Sequence, residues 1–155
     1  MKSTLALLVV LLFAASASAQ PAPRQALAVQ IAAEPVEPAG IRVALTFRNP
    51  NAVDMRLWAG FTPQDGYPRG DWFRIAADGK PVSYVGPLPN RRFPDAGVFQ
   101  VLKPGQVLTA AMNLAGLYNL PRRTPITLRF EAYDPSVTDQ AVSLLVSNEV
   151  RVTLP

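Results

Sequence analysis

The side chains in this sequence that could do chemistry are a few carboxylates in loop-forming stretches. Asp65, Asp71 and Asp95 each lie beside a Gly or a Pro. Paired carboxylates are the catalytic arrangement that remains open to such a chain, as in glycoside hydrolysis. Asp beside Gly or Pro more commonly stabilises a turn. We therefore expect turn residues here, with acid catalysis as the alternative.

Other catalytic and metal-binding equipment is absent from the sequence. The chain contains no His and no Cys. It therefore lacks an imidazole base, a Ser-His-Asp arrangement, a thiolate nucleophile and the usual zinc ligands. The stretch from Asp134 to Asp139 offers two carboxylates, too few for a calcium loop. The sequence predicts a protein that is not an enzyme, with no catalytic residue, no cofactor and no metal site.

Two arginine pairs are candidates for partner contacts. Arg91-Arg92 and Arg122-Arg123 are the doubled charges in the chain. Guanidinium groups match the geometry of a carboxylate or a phosphate on a partner. The alternative is that these arginines only keep their loops solvated.

Five aromatic residues fall in or next to predicted loops rather than in the middle of strands. If they are exposed together, they form a binding patch of the kind that dominates protein interfaces. If they turn inwards, they plug the open ends of the fold. The five are Trp58, Phe61, Tyr67, Trp72 and Phe93.

The elements that must position these residues are β-strands. The clearest is Ile41–Arg48, where Ile, Val, Leu and Phe alternate with mostly polar residues, the period of a half-buried antiparallel strand. We expect the strand after it, 53–58, to pair antiparallel with it. Leu114–Leu120 has the spacing of one helical turn. The nine predicted strands are 27–31, 41–48, 53–58, 72–76, 81–85, 98–102, 107–112, 126–130 and 150–154, with a short apolar piece at 144–146.

Turn chemistry connects these strands into two expected hairpins. Asp78-Gly79 suits a turn that needs positive φ, and Pro104-Gly105 joins the strands on either side of it. A Pro-rich loop lies between the two hairpins, and 34–40 and 60–71 are further loops. The pattern predicts an all-β, immunoglobulin-like antiparallel β-sandwich of about seven to nine strands.

The first residues predict export. Lys2 precedes an apolar run that ends in small residues at Ala17 and Ala19, the pattern of a cleaved secretory signal peptide. We expect residues 1–19 as signal peptide, 20–26 as an extended leader and 27–155 as one domain. The location is then secreted or periplasmic in a bacterium, with no membrane contact after cleavage. The formal charge of +4 is too small and too scattered to indicate a nucleic-acid partner.

The central stretch resembles a known family through a string of positions. These are Asp78-Gly79-Lys80-Pro81-Val82, Tyr84, Gly86, Arg91-Arg92, Pro94, Leu102, Pro104-Gly105, Asn113-Leu114 and Tyr118, and upstream Val43-Ala44-Leu45-Thr46, Asn49, Trp58 and Thr62-Pro63. They resemble the N-terminal propeptide-type domain of the deuterolysin and peptidyl-Lys metalloendopeptidase family. The sequence departs at Asn113-Leu114-Ala115, where the family has an acid-Leu-Ser run, and at Thr124-Pro125-Ile126, where it has Gly-x-Tyr.

The resemblance implies an accessory role. In that family the segment ahead of the enzyme assists folding and covers the active site, whereas the catalytic HExxH motif does not occur in this sequence. We expect a secreted, non-catalytic domain that binds a protein, a secreted deuterolysin-type zinc metallopeptidase, as inhibitor, folding chaperone or accessory module. The alternative is a structural or adhesive module with no protease link. The candidate partner-binding residues, on the loops 86–97 and 60–71 and beside them, are Tyr84, Pro87, Pro89, Arg91, Arg92, Phe93, Tyr67 and Trp72.

Overall fold

The computed structural model of the chain describes residues 23–38, 40–87 and 98–155. The predicted signal peptide, the first three residues of the predicted leader and Arg91-Arg92 lie outside these ranges. Within them the chain forms ten strands, one 3₁₀ turn (Ala59–Phe61) and one short helix, α1 (Gln140–Ser143). The strands are β1 (Ala28–Val36), β2 (Gly40–Arg48), β3 (Met55–Trp58), β4 (Phe73–Ala77), β5 (Lys80–Pro81), β6 (Phe99–Leu102), β7 (Val107–Asn113), β8 (Pro125–Tyr133), β9 (Leu144–Val146) and β10 (Val150–Thr153).

The strands form antiparallel open sheets, which confirms the predicted all-β sandwich. One sheet has the order β1-β2-β7, and a five-stranded sheet has the order β10-β8-β4-β5 with β9 also paired to β8. The strands β3 and β6 form a separate two-stranded sheet. None of the described helices is both long enough and apolar enough to span a membrane.

The inner face of β2 is the centre of the core, as its alternation predicts. Ile41, Val43, Leu45 and Phe47 are all fully buried, and burial of each such side chain contributes about 1.5–3 kcal/mol. The ring of Phe47 meets the ring of Phe130 from the opposing sheet edge-on, with centroids 5.8 Å apart. This contact joins the two larger sheets face to face.

The turn at Asp78-Gly79 is confirmed. Asp78 has φ 48° and Gly79 has φ 75°, so both central residues occupy the left-handed region that a tight two-residue hairpin turn requires. The returning strand is shorter than the predicted 81–85. The ladder contains only Lys80 and Pro81 opposite β4, although the N–H of Val82 still donates to the carbonyl of Ile75 at 2.9 Å.

The predicted hairpin at Pro104-Gly105 is wrong, although a turn forms there. The strand before it, β6, pairs with β3, and the strand after it, β7, pairs with β2. The chain therefore crosses between two sheets at this turn. The expected pairing of 53–58 with the second strand is wrong for the same reason, since β2 has β1 and β7 as its neighbours.

The predicted helical turn over Leu114–Leu120 is also wrong. The segment is a β-turn in which the N–H of Leu117 donates to the carbonyl of Leu114 at 3.2 Å, and Gly116 has φ 74°. A glycine in the left-handed region stops a helix. The apolar side chains of Leu114, Leu117 and Tyr118 are nevertheless buried, as their spacing requires.

The first strand is longer than predicted. The predicted loop over 34–40 is partly strand, because β1 continues to Val36, opposite Gly40 of β2. The proline at 35 is tolerated because β1 is at the edge of its sheet.

Candidate binding site

A concave pocket of about 420 Å³ lies beside the loop that joins β3 to β4, and we call it the Trp pocket. The size falls within the range of about 300–1,000 Å³ that ligand-binding pockets usually have. The residues that line it are Trp58, Ala59, Gly60, Pro63, Gln64, Asp65, Arg69, Trp72 and Val98. Most of them belong to the predicted contact loop, 60–71.

Two tryptophans form the apolar wall of the Trp pocket. Trp58 ends β3 and Trp72 immediately precedes β4. Their indoles meet edge-on with centroids 5.6 Å apart, and both also pack edge-on against Phe61 at 5.1 Å. Phe61 continues into the core through Phe130 at 5.4 Å. The wall is therefore held rigidly by the core behind it.

Two glycines allow the indoles to fold back onto the loop. A Cβ on Gly60 would lie 2.4 Å from the ring of Trp58, and a Cβ on Gly70 would lie 2.5 Å from the indole nitrogen of Trp72. Each ring thus covers the backbone of a glycine two residues away. These glycines are needed for close approach rather than for an unusual φ.

The rim of the Trp pocket carries one ion pair. A guanidinium nitrogen of Arg69 donates to Asp65 Oδ2 at 2.9 Å, and the N–H of Tyr67 donates to Asp65 Oδ1 at 3.1 Å. These two hydrogen bonds lower the pKa of Asp65 below its ordinary value, and the bond from Arg69 has the larger effect. Both side chains are exposed, so this pair contributes little to stability.

A second concavity of about 310 Å³ shares both tryptophans, and we call it the side pocket. Its polar residues are paired with one another. Arg74 approaches Asp71 at 3.6 Å and Glu131 at 3.4 Å. Arg129 also donates a hydrogen bond to Glu131, and this bond is the main reason that the pKa of Glu131 is lowered. Tyr133, 67 % exposed, also lines this pocket.

Two tyrosines lie behind this surface. The Tyr118 hydroxyl donates to Asp71 Oδ1 at 3.0 Å and accepts the N–H of Phe73 at 3.3 Å. Burial, together with the charge of Asp71, raises the pKa of Tyr118 far above its ordinary value. The ring of Tyr84 packs against that of Tyr118 at 5.1 Å. Tyr118 therefore links Tyr84 to the strand that positions Trp72.

The structure brings only part of the predicted partner-binding set to the pocket. Trp72 lines it, and Tyr67, 51 % exposed, lies in the same loop. Tyr84 is half-buried and donates to the carbonyl of Pro87 at 2.8 Å, and neither residue lines the pocket. The other predicted members, Pro89, Arg91, Arg92 and Phe93, lie outside the described residues.

Of the five aromatic residues that were expected either to form an exposed patch or to plug the fold, some are buried and others line the pocket. Phe61 is 1 % exposed and Trp72 is 8 % exposed, so they plug the fold rather than form an exposed patch. Trp58, half-buried, joins Trp72 in the pocket wall. Phe93 lies outside the described ranges.

The loop carboxylates have structural partners. Asp65 caps its own turn, and Asp71 accepts a hydrogen bond from Tyr118. Asp139 caps α1 by accepting the N–H of Ala141 at 3.0 Å. Among the described residues no group of three or more His, Cys, Asp or Glu could hold a metal ion. Asp95 is not described.

The second arginine pair lies at the start of β8. Arg122 donates to the carbonyl of Pro38 at 3.0 Å. The backbone N–H of Arg123 donates to the carbonyl of Leu154 at 3.0 Å. The pair therefore has local contacts, and neither arginine lines the Trp pocket or the side pocket.

Sequence reasoning missed several residues of the pocket. Ala59 and Val98 line it from outside the predicted contact loop, and Gln64 and Arg69 lie within that loop but were not among the named candidates. A signal was available in the spacing of aromatic residues and glycines. The pattern aromatic-x-Gly or its reverse occurs at Trp58–Gly60, Gly70–Trp72 and Tyr84–Gly86, where the ring covers the glycine. It also occurs at Gly116–Tyr118, where nothing lies within 4 Å of an added Cβ, so the spacing alone is only a partial signal.

Comparison with known proteins gives one significant similarity. The chain is 33 % identical over 90 residues to a protein named extracellular protease from Aeromonas hydrophila. The matched stretch covers 58 % of this chain and 25 % of that relative. The chain thus spans about a quarter of the length of the curated relative that it matches. No family model matches the chain.

Proposed function

We propose that this chain is a secreted, non-catalytic, protein-binding domain that works with a secreted protease. The observation that carries the proposal is the similarity to an extracellular protease over 58 % of the chain. A sequence without His cannot supply the HExxH helix of a zinc peptidase. On this proposal, the part that the chain shares with its relative is an accessory part rather than catalytic machinery.

The proposed partner is a secreted zinc metallopeptidase of the deuterolysin type. The resemblance of the central stretch to the propeptide-type domain of that family supports this choice. The Trp pocket supports protein binding, since a rigid sandwich commonly carries its recognition surface on loops. The domain acts on its partner as inhibitor, folding chaperone or accessory module.

The test is to mix the purified chain with a deuterolysin-type peptidase. We expect co-elution on size exclusion and either a lower rate of peptide cleavage or a higher yield of active enzyme after dilution from denaturant. A secreted serine protease serves as the control enzyme, and its activity and refolding yield should not change. Separate elution, with unchanged activity and yield, would overturn the proposed partnership.

A structural or adhesive role without a protease is the competing function. It predicts no effect on any peptidase and a self-associated or surface-bound chain instead. The same size-exclusion measurement separates the two functions, because the chain alone then elutes as an oligomer. A monomer that binds the metallopeptidase favours the accessory role.

A further inference from the structure

We propose that the Trp pocket binds an uncharged apolar side chain, of the size of leucine or phenylalanine, presented by an extended segment of the partner protein. The inference deepens the proposed function and rests on it for the identity of the partner. It names the chemistry that the surface recognises and the part of the surface that does so.

The first argument is the shape and the rigidity of the pocket. Its wall is two indoles that are fixed edge-on against each other and backed by Phe61. Tryptophan is one of the residue types that are enriched at the energetic centre of protein interfaces. The volume of about 420 Å³ accommodates a large apolar side chain. A preformed pocket also avoids the entropy loss of ordering itself on binding.

The second argument is charge complementarity. Among the residues that the structure describes, each charged side chain that lines either pocket is paired with another: Asp65 with Arg69, and Arg74 with both Asp71 and Glu131. A charged ligand would therefore compete with a counter-charge that is already in place at each of these side chains. An uncharged ligand leaves them intact, with the ion pairs as a polar rim around an apolar centre, which is the usual anatomy of a protein interface.

The third argument is the pair of pockets. The Trp pocket and the side pocket both include Trp58 and Trp72 in their lining. A segment that crosses the two indoles therefore meets two adjacent concavities. In an extended peptide, consecutive side chains point in alternate directions and recur at regular spacing. This arrangement favours a peptide over a compact small molecule.

The experiment uses the two tryptophans of the chain as the reporter. Because both tryptophans line the Trp pocket and the side pocket, intrinsic tryptophan emission reports on these two adjacent sites, and substitution at Val98, which lines the Trp pocket, distinguishes between them. The purified chain is titrated with N-acetyl-leucine amide and N-acetyl-phenylalanine amide, and with N-acetyl-glutamate amide and a cello-oligosaccharide as comparison ligands. We expect a saturable emission change with the two apolar amides and none with the comparison ligands.

Substitution at Val98, 39 % exposed and part of the lining, tests the location. Val98→Asp and Val98→Lys should each weaken binding at least fivefold, since an uncharged ligand is disfavoured by either sign of charge. Val107→Asp, at a valine that is 52 % exposed on β7, is the matched control and should bind as the native chain does. Cooperative urea unfolding verifies that each variant is folded.

Three results would overturn the inference: no saturable change with the apolar amides, a response to the oligosaccharide instead, or undiminished binding by folded Val98 variants. These outcomes are separable from the peptidase test. Amide binding without any effect on a metallopeptidase leaves the pocket chemistry standing and removes the protease partnership. A complex with the peptidase that Val98→Asp does not weaken removes the pocket and leaves the partnership.

Discussion

The indole of Trp58 meets the indole of Trp72 edge-on, with centroids 5.6 Å apart and ring planes at 81°. One residue ends β3 and the other precedes β4, so this contact joins the small two-stranded sheet to the larger sheet. The same contact forms the wall of the Trp pocket. The two ends of the loop between these residues therefore lie close together, in contact through the two rings.

Gly60→Ala should disturb this contact. The added Cβ would lie 2.4 Å from the Trp58 ring, and overpacking of this kind costs about 1–3 kcal/mol. We expect a lower free energy of unfolding in urea, together with an altered tryptophan emission spectrum of the folded state. Gly70→Ala should lower the free energy of unfolding and alter the emission spectrum for the same reason, because its added Cβ would meet the indole of Trp72.

Gly105→Ala is the control for these two variants. Gly105 has φ 72° and nothing within 4 Å of an added Cβ. Its substitution therefore costs about 1–2 kcal/mol through the backbone but leaves the indoles in place. An unchanged emission spectrum in Gly60→Ala would contradict the steric role of that glycine.

Much of the fold follows from alternation, which is a local property. The inner face of β2 and the buried face of β8 could be predicted because side chains two apart share a face. The pairing of strands that are not joined by a tight turn could not be predicted. β3 and β6 pair although more than forty residues of chain separate them. The pattern that marks the buried face of a strand contains no information about which strand lies beside that strand.

The site could be predicted only in outline. The loop 60–71 was identified from its glycines and prolines, and Trp72 from its position beside that loop. Val98 was missed, because it reaches the pocket through a hydrogen bond between its carbonyl and the N–H of Ala59 at 2.8 Å, far along the chain. Such a contact depends on the β3–β6 pairing, which the sequence pattern does not specify.

Asn49→Ala should be among the most destabilising polar substitutions. Asn49 is fully buried, and its amide nitrogen donates to the carbonyls of Val53 and Leu102, both at 2.8 Å. Its removal takes this donor away from the carbonyls of Val53 and Leu102, the second of which is in a buried hydrogen bond, for a cost of roughly 2–4 kcal/mol. Urea unfolding monitored by circular dichroism measures the loss.

Asn49→Asp distinguishes hydrogen bonding from packing at this site. The carboxylate has nearly the same size but places an acceptor against two carbonyl oxygens, so the variant should be at least as unstable as Asn49→Ala. Asn51→Ala, at a partly exposed residue, is the control and should cost less. Full stability of Asn49→Asp would show that the amide nitrogen is not the stabilising group.

Tyr118→Phe should loosen the start of β4. The hydroxyl bridges Asp71 Oδ1 and the N–H of Phe73, and a hydrogen bond to a charged group is worth about 1.5–3 kcal/mol. We expect a loss of that size in the free energy of unfolding and faster hydrogen exchange of the Phe73 amide. Tyr133→Phe, at a tyrosine that is 67 % exposed, should change neither quantity.

Asp134→Asn should change how stability depends on pH. Asp134 is 1 % exposed and accepts hydrogen bonds from the N–H groups of Trp58 and Ser136. Burial is the dominant cause and raises the pKa of Asp134 above its ordinary value of 3.8. The folded state then binds the proton more tightly than the unfolded state. The stability that this group contributes is present below the unfolded pKa and is lost as the pH rises through the folded pKa.

The free energy of unfolding of the native chain, relative to that of Asp134→Asn, should therefore fall as the pH is raised from about 3 to 7. Glu131→Gln gives the opposite trend. Hydrogen bonding to Arg129 lowers the pKa of Glu131, so its stabilisation is present above the unfolded pKa and is lost as the pH falls. Urea unfolding of the three proteins at several pH values measures both slopes. If the free energy of unfolding of the native chain, relative to that of Asp134→Asn, instead rises with pH, then the hydrogen bonds from Trp58 and Ser136 outweigh the desolvation of the carboxylate.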